Sequence, residues 1–306
     1  MNICEALLKG TNTLEQYGYR HQLAKQYAEE LLLFVLHYTR AELLRDSKRT
    51  LKDSEACVYQ RVLLEFSRGK PLEYITRNAV LFGYNFFVNE SVLIPRIDSE
   101  ILIEQALLFV KDNICIIEDK INNGEKIRVL DACCGSGCLG ISFFKKLIDD
   151  KIINSKYYKM LELSLLDISS QAIQIAKINA NSLLNSVNVR YIISNVLLNG
   201  FGMDRYDIIL YNPPYIKTDV IPTLDKSVKD FEPLIALDGG ADGLKFYKSI
   251  CNCLKNNLYS TSAVIMEIGF DQGNSVDNIL KNAGFRTELK KDYASNDRCI
   301  ICRLIK

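Results

Sequence analysis

The sequence predicts an α/β fold in which a seven-stranded mixed sheet is covered by helices and preceded by a small N-terminal helical domain. Three observations lead to this prediction. Apolar residues recur at helical spacing near the N-terminus, short apolar strands alternate with helical segments from about residue 98 onward, and no helix separates the last two strands. Strands that alternate with helices are typical of a parallel sheet with helices on both faces, and two strands joined directly run antiparallel.

The helical domain is predicted over residues 1–78. In it, Leu23, Tyr27 and Leu31 are spaced as on one face of a helix, and a second run with this spacing begins at Val58. Such a domain is either a bundle built for packing alone or a recognition module for a protein partner. Its residues by themselves favour neither interpretation.

A β-hairpin that links the two domains is predicted over residues 79–97. Two β-like runs are separated there by Asn89-Glu90-Ser91, a polar stretch typical of a turn, and Pro95 ends the second run. The α/β domain then occupies residues 98–306. Its predicted strands are residues 127–131, 163–167, 189–193, 206–211, 263–268, 286–293 and 298–304.

The composition narrows the function classes. The 306 residues include 38 Lys and Arg against 37 Asp and Glu, so no general field attracts a polyanion, which disfavours a nonspecific nucleic-acid binder. No apolar stretch reaches the length of about 20 residues that crosses a bilayer, and the N-terminus lacks the layout of a signal peptide. We therefore expect a cytoplasmic protein without membrane contact.

The cysteines are expected to be reduced thiols, because disulfide frameworks belong to small secreted chains and this chain is long. Cys299 and Cys302 form a C-x-x-C pattern, but they lie in a strand-like run, where alternation places the two thiols on opposite faces. Only two histidines occur in the chain. The sequence therefore predicts no metal site.

A turn of small residues follows the first strand of the α/β domain and leads into a helix. Gly135, Gly137 and Gly140 in this turn match the G-x-G-x-x-G dinucleotide fingerprint, which leaves an NAD-dependent oxidoreductase open. Asp131 at the strand end is poorly suited to a pyrophosphate but suits a cationic aminoacyl group, such as that of S-adenosylmethionine. The residues predicted to bind the cofactor here are Asp131, Cys133, Cys134, Gly135, Ser136 and Gly137.

Polar residues after the next two strands complete the predicted cofactor site. Asp167 is expected to bind the ribose hydroxyls, although it could instead cap the following helix. Asn195 is expected to hydrogen-bond the adenine and Val196 to cover it, unless this pair is an ordinary polar turn.

The segment Asn212-Pro213-Pro214-Tyr215 follows the strand predicted over residues 206–211 and is the predicted catalytic motif. Asn212 supplies a side-chain carbonyl, and Pro213 supplies a backbone carbonyl whose direction the stiff Pro-Pro chain restricts. Two acceptors match the two hydrogens of a planar amide or amino group, and Tyr215 offers a flat face that excludes water. The motif alone leaves an amide and a nucleobase equally eligible, and a simple turn is the structural alternative.

Four further segments occur in an order that resembles the release factor glutamine methyltransferase family over essentially the whole chain. They are Gly69-Lys70-Pro71-Leu72-Glu73-Tyr74-Ile75, Leu93-Ile94-Pro95-Arg96-Ile97-Asp98-Ser99-Glu100, Phe231-Glu232-Pro233-Leu234-Ile235-Ala236-Leu237, and Glu267-Ile268-Gly269 with Gln272-Gly273. The resemblance implies a Rossmann-like class I methyltransferase fold with S-adenosylmethionine as methyl donor. It also implies that the substrate is the glutamine of the Gly-Gly-Gln motif in peptide chain release factors, methylated at N5 in support of translation termination.

The same resemblance implies further properties. The helical domain is expected to contact the release factor, Asn212 matches a cofactor-binding position as well as the glutamine-binding motif, and we expect a monomer that does not bind nucleic acid directly. Cys133 and Cys134 stand in a loop that usually begins Gly-Thr-Gly. Asn195 replaces an Asp and Val196 replaces an aromatic residue, and these two substitutions predict weaker adenine binding. The main rival is an amino methyltransferase acting on DNA or RNA bases, and a noncatalytic binding protein is a further alternative.

Overall fold

Two structural units make up the chain in the computed structural model, which describes residues 1–185 and 187–305, and of residues 252 and 253 the backbone only. One unit comprises Met1–Asn78 together with Asp225–Phe231. The other comprises Ala79–Leu224 and Glu232–Lys306. The segment Asp225–Phe231 lies inside the range assigned from sequence to the α/β domain.

The N-terminal unit is helical. Its helices are α1 (Ile3–Gln16), α2 (His21–Leu36), α3 (Arg40–Arg45), α4 (Asp53–Ser67) and α5 (Leu72–Thr76). Asn2 and Glu5 form a capping box at the start of α1, in which each side chain accepts the backbone N–H of the other residue. These reciprocal bonds satisfy backbone donors that the first helical turn otherwise leaves unpaired.

The buried face of α2 differs from the predicted one. Leu31 is fully buried, but Leu23 is 45% exposed. The buried stripe passes instead through Ala24 and Ala28 to Leu31, at helical spacing. Small residues line this face because α1 and α4 pack closely against α2.

Gly10 lies close to the Tyr59 hydroxyl in this helical core. The buried Tyr59 Oη donates a hydrogen bond to the carbonyl oxygen of Ala28 over 3.0 Å. A Cβ added to Gly10 would overlap this hydroxyl and would lie 3.1 Å from the Ala28 Cβ. The absence of a side chain at Gly10 therefore makes room for the phenol that joins α4 to α2.

A two-stranded hairpin, β1 (Asn78–Leu81) and β2 (Tyr84–Phe87), follows the helices. The predicted turn at Asn89-Glu90-Ser91 is wrong as the site of strand reversal. The chain reverses at Phe82 and Gly83, whose φ angles of 52° and 81° are those of a two-residue hairpin turn. Asn89 does form a local turn, since its Oδ1 accepts from Ser91 N over 2.9 Å, but beyond the end of β2.

The larger unit contains a seven-stranded mixed sheet, as predicted, in the order β5-β4-β3-β6-β7-β9-β8. Strands β3 to β7 are parallel, while β9 is antiparallel to both β7 and β8, so the predicted antiparallel pair at the sheet edge is confirmed. In chain order the elements are α6 (Glu100–Asp112), α7 (Ile114–Asn122), β3 (Ile127–Ala132), α8 (Cys138–Asp149), β4 (Leu161–Asp167), α9 (Ser170–Leu183), β5 (Asn188–Ile193), α10 (Val196–Asn199), β6 (Tyr206–Tyr211), α11 (Lys226–Lys229), α12 (Lys245–Leu254), β7 (Leu258–Glu267), α13 (Gly273–Asn282), β8 (Phe285–Lys291) and β9 (Asp297–Leu304), of which α11 belongs to the helical unit.

Separate apolar cores cover the two faces of the sheet. Val129 of β3 packs in one core and its neighbour Leu130 in the other, as the alternation of a strand requires. Cys299 and Cys302 follow the same rule and are buried in opposite cores, which confirms that they do not face each other. Within the described ranges, no helix combines the length and the apolar character needed to span a membrane.

We predict that Gly10→Ala destabilises the helical unit by about 2 kcal/mol, because the added methyl group overpacks the contact with Tyr59. Tyr59→Phe alone is expected to cost about 1 kcal/mol through the lost hydrogen bond, and the double variant should cost clearly less than the sum. Urea denaturation followed by circular dichroism measures these differences. Asn12→Ala, at an exposed position of α1, is the matched control and should change stability by less than about 0.5 kcal/mol. Strictly additive costs would contradict the proposed overlap.

Candidate active site

The predicted site residues lie at one edge of the sheet, where the parallel strands end. Ala132 of β3 pairs with Tyr211 of β6, and Asp167 of β4 pairs with Ile193 of β5. The strand ends therefore stand side by side, and the loops that follow them share one rim. Ligands of open α/β sheets bind at this carboxyl edge.

The loop between β3 and α8 turns tightly at positions with positive φ. Cys133, Gly135 and Gly137 have φ angles of 59°, 53° and 76°. Gly137 N donates to the Cys134 carbonyl over 2.7 Å, and Cys134 N donates to the Leu166 carbonyl over 3.0 Å, which ties the loop to β4. Cys133 therefore occupies the left-handed region that glycine adopts without strain.

Asp131 is buried under this loop with one of its carboxylate oxygens unsatisfied. Its Oδ2 accepts from Gly140 N over 2.8 Å, whereas its Oδ1 has no hydrogen-bond partner among the residues described. A Cβ on Gly140 would lie 2.9 Å from the Asp131 Cβ, so this approach of α8 to β3 requires glycine. Burial raises the pKa of Asp131 to about 8, and the charge of Asp167 adds to the rise. A bound cation would satisfy this orphaned oxygen, which fits the ammonium group of S-adenosylmethionine.

Asp167 at the end of β4 anchors two backbone segments. Its Oδ2 accepts from Gly135 N and its Oδ1 from Ser169 N, each over 2.9 Å. The N-cap of α9 is Ser169, whose side chain accepts from Ala172 N, and Asp167 contributes to this helix start through its bond from Ser169 N. A carboxylate accepts about four hydrogen bonds, which leaves capacity for the hydroxyls of a ribose. Burial raises the pKa of Asp167, and these backbone bonds oppose the rise.

Asn195 and Val196 lie after β5 but are mostly engaged in local structure. Asn195 caps α10, and its Oδ1 accepts from Leu197 N over 2.9 Å. Val196 is 5% exposed and packs in the core on one face of the sheet. The Asn195 amide nitrogen is thus the polar group that this pair could offer to an adenine.

Asn179 on α9 supports the loop between β3 and α8, a role that the sequence analysis missed. Its Nδ2 donates to the Ser136 carbonyl over 2.9 Å and to the Phe87 carbonyl over 3.0 Å, and its Oδ1 accepts from Phe87 N over 2.7 Å. The buried amide therefore joins β2 of the hairpin to the loop. An asparagine within a helix pattern gave no signal of such a contact.

The motif from Asn212 to Tyr215 follows β6 directly, and its prolines are buried. Asn212 is half-buried. Tyr215 Oη donates to Glu267 Oε1 over 3.0 Å, and the Tyr215 carbonyl accepts from Gln272 Nε2 over 2.9 Å. Burial, and next the charge of Glu267, raise the pKa of Tyr215.

Two glycines permit close packing of the backbone at the end of this motif. A Cβ on Gly239 would lie 2.7 Å from the Tyr215 Cα, and one on Gly243 would lie 2.5 Å from the Tyr215 carbonyl oxygen. Ile216 N donates to the Leu237 carbonyl over 3.0 Å, and Gly239 N donates to the Ile216 carbonyl over 2.8 Å. The glycine-rich run 239–243 was the available signal, because close backbone approach is a common reason for glycine.

Two of the segments used for recognition meet in the larger unit. The Arg96 guanidinium donates to Glu232 Oε1, and Ile94 N donates to Glu232 Oε2 over 3.2 Å. Glu232 is buried, and this charge-assisted contact joins the segment before α6 to the segment that begins at residue 232.

The two thiols in the loop between β3 and α8 are poor nucleophiles. Burial raises the pKa of the Cys133 and Cys134 thiols well above the usual range, which keeps them protonated and poorly nucleophilic. Throughout the described ranges, no cluster of three or more His, Cys, Asp or Glu side chains is arranged to hold a metal ion.

Comparison with known proteins gives two matching family models. The PrmC N-terminal domain matches residues 5–76, and the methyltransferase small domain matches residues 116–228. The release factor glutamine methyltransferase of Clostridium acetobutylicum is 34% identical over 303 residues, which is 98% of each chain. The protein of the same name from Bacillus subtilis is 33% identical over 99% of this chain and 98% of its own. That from Thermodesulfovibrio yellowstonii is 31% identical over 91% and 92%.

We predict that Cys133→Gly is more stable than Cys133→Ala by about 1 kcal/mol, because only glycine adopts the φ of 59° without strain. Both substitutions remove the thiol, so the comparison isolates the backbone. Thermal unfolding of the two variants measures the difference. Equal stability would show that position 133 carries no backbone strain.

Proposed function

The chain belongs to the family of release factor glutamine methyltransferases, and we propose that it methylates the glutamine of the Gly-Gly-Gln motif in peptide chain release factors. The methyl group comes from S-adenosylmethionine and goes to the side-chain nitrogen N5. The observation that supports this proposal best is the position of the half-buried Asn212, directly after the end of β6. It lies at the same sheet edge as Asp131 and Asp167.

Asn212 and Pro213 orient the nitrogen that is methylated. An amide nitrogen is a weak nucleophile because its lone pair is delocalised into the carbonyl group. Acceptance of its two hydrogens by the Asn212 side chain and the Pro213 carbonyl aims the lone pair, and Tyr215 covers the planar group. When bound, S-adenosylmethionine supplies a methyl group on a sulfonium, and departure of that methyl group to the nitrogen leaves neutral S-adenosylhomocysteine. The nitrogen then loses a proton to water, so a strong base is not required.

The residues around the β3 loop bind the methyl donor in this proposal. Asp131 binds the ammonium group, the loop of Cys133, Cys134, Gly135, Ser136 and Gly137 lies along the aminoacyl chain, and Asp167 binds the ribose. Asn195 and Val196 border the adenine. An unsatisfied buried carboxylate at this position favours a cationic ligand over a pyrophosphate, which disfavours NAD.

We propose that residues 1–78 recognise the release factor, that residues 79–97 link the domains, and that residues 98–306 carry the methyltransferase site. The match to the PrmC N-terminal domain supports a dedicated helical domain. Asp225–Phe231 adds to this unit, since Gly69 lies close to the Lys226 side chain and a Cβ there would approach its Cδ to 3.3 Å. The protein acts as a cytoplasmic monomer on a protein substrate, not on nucleic acid.

We predict that Asn212→Ala lowers kcat for methylation of release factors at least about 100-fold, because one of the two acceptors for the amide is lost. Radiolabelled methyl transfer to purified release factors measures this. Asn181→Ala, at an exposed position of α9, is the matched control and should retain full activity. Label found only in DNA or RNA, with release factors unmodified, would overturn the assignment in favour of the nucleobase alternative.

We predict that S-adenosylhomocysteine, which carries the same ammonium group, binds more tightly as the pH rises from about 6 to about 8. In the free protein Asp131 is mostly protonated below its pKa of about 8, and the ligand cation requires the ionised form, so binding releases a proton. The dissociation constant should fall up to tenfold per pH unit and level off above pH 8. Calorimetry in buffers of different ionisation enthalpy counts the released protons.

Asp131→Asn is the control for this pH dependence. It should bind weakly at every pH and release no proton. A pH-independent affinity in the unaltered protein would contradict the assignment of Asp131 to the ammonium group.

A further inference from the structure

Glu267 is a buried carboxylate to which none of the steps above gives a role. It is the last residue of β7, which pairs with β6 so that Tyr211 lies beside Met266. The backbone of Glu267 is held in place, because its carbonyl accepts from Tyr247 Oη over 2.8 Å and the residue pairs with Cys299 of β9. It is only 1% exposed. A carboxylate at the end of a core strand is costly unless its oxygens are used.

The Glu267 carboxylate interacts with the catalytic motif. Its Oε1 accepts from Tyr215 Oη over 3.0 Å. Its Oε2 is buried without a hydrogen-bond partner in the part of the chain that is described. Burial raises the pKa of Glu267, and the Ser99 and Tyr215 hydroxyls and the positive charge of Arg298 oppose that rise. Arg298 itself is held by Asp292 over 3.2 Å.

Gln272, five residues after Glu267, holds the other end of Tyr215. Its Nε2 donates to the Tyr215 carbonyl over 2.9 Å and to the Gly243 carbonyl over 3.2 Å. Its Oε1 accepts from Gly269 N over 2.9 Å. The phenol and the backbone of Tyr215 are therefore both bonded to residues at the carboxyl end of β7.

We propose that Glu267 is a positioning residue for methyl transfer, which fixes the direction of the Tyr215 side chain through the phenol while Gln272 fixes the backbone of the same residue. This inference rests on the proposed function, in which Tyr215 covers the substrate amide. A ring that is bonded only through Cβ can swing about the Cα–Cβ torsion, whereas a second anchor at Oη, which lies on the ring axis, fixes where the ring lies. Transfer to an amide nitrogen needs the ring in that place, because the lone pair of the nitrogen must stay aligned with the methyl group.

A double-variant cycle between positions 215 and 267 tests the proposal. Tyr215→Phe removes the donor, and Glu267→Leu removes the acceptor at similar volume. Each is expected to lower kcat for release-factor methylation about tenfold, with little change in KM for S-adenosylmethionine. The combined variant should be no slower than the worse single variant, because both changes break the same bond. Additive losses, or a Tyr215→Phe variant with unchanged kcat, would overturn the proposal.

Two further variants separate positioning from general damage. Glu267→Gln keeps an acceptor for Oη. As a single variant it should retain kcat within about threefold, and combined with Tyr215→Phe it should cause no further loss of kcat. If Glu267→Leu does not fold, Tyr215→Phe alone tests the bond, and an unchanged kcat for that variant would count equally against the proposal. Ser99→Ala removes a hydroxyl beside Glu267 but leaves Tyr215 Oη bonded, and should change kcat less than about twofold.

Binding of S-adenosylhomocysteine, measured by calorimetry, should be unchanged in every variant that folds. A loss of that binding parallel to the loss of kcat would mean that Glu267 acts through the cofactor site and would overturn the positioning role. Failure of the unaltered protein to methylate release factors would instead refute the proposed function, and it is visible in the same assay before any variant is compared.

Discussion

The rest of the site depends on two carboxylates, the buried Asp131 and the partly exposed Asp167, that accept backbone N–H groups where β3 leads into α8. Asp131 accepts from Gly140 in the first turn of α8 and Asp167 accepts from Gly135 in the loop, so the loop and the start of α8 are each bonded to one of two adjacent strands. Glycine at position 140 permits the close approach of α8 to β3, and α8 in turn contributes to the apolar core on one face of the sheet. Both acids are held partly desolvated, with pKa values raised by burial. Burial thus disfavours the ionised form of both carboxyl groups at the place where a cation is expected to bind.

Features with a strong pattern in sequence were predictable. Apolar strands alternating with helices sufficed for the sheet and its antiparallel edge pair, because burial on both faces of a parallel sheet leaves few polar positions. The polar residues at strand ends were also found in advance, since Asp131, Asp167 and Asn212 each follow an apolar run. Once a parallel sheet is assumed, its carboxyl edge must bring them together.

Features decided by tertiary contact or by unusual backbone angles were not predictable. The hairpin reverses at Phe82, an apolar residue in the left-handed region, while the polar stretch near Asn89 looked more like a turn. The side-chain oxygen of Asn195 caps α10, a helix of only four residues. So short a helix leaves no periodic pattern in the sequence. Glu267 and Gln272 were recognisable as a recurring segment, but their bonds to Tyr215 cross more than 50 residues of sequence. Single-sequence reasoning has no access to such pairs.

The contribution of Asp225–Phe231 to the helical unit has a consequence for how the molecule is made. A unit that combines residues 1–78 with a segment from inside the sequence of the larger unit is not contiguous in the chain. During synthesis, residues 1–78 leave the ribosome first, and the last residues of their unit follow only after β3 to β6 have been made. The helical unit is therefore complete only after most of the parallel strands have been synthesised. Exchange of this unit between relatives would have to carry the short internal segment along with the N-terminal helices.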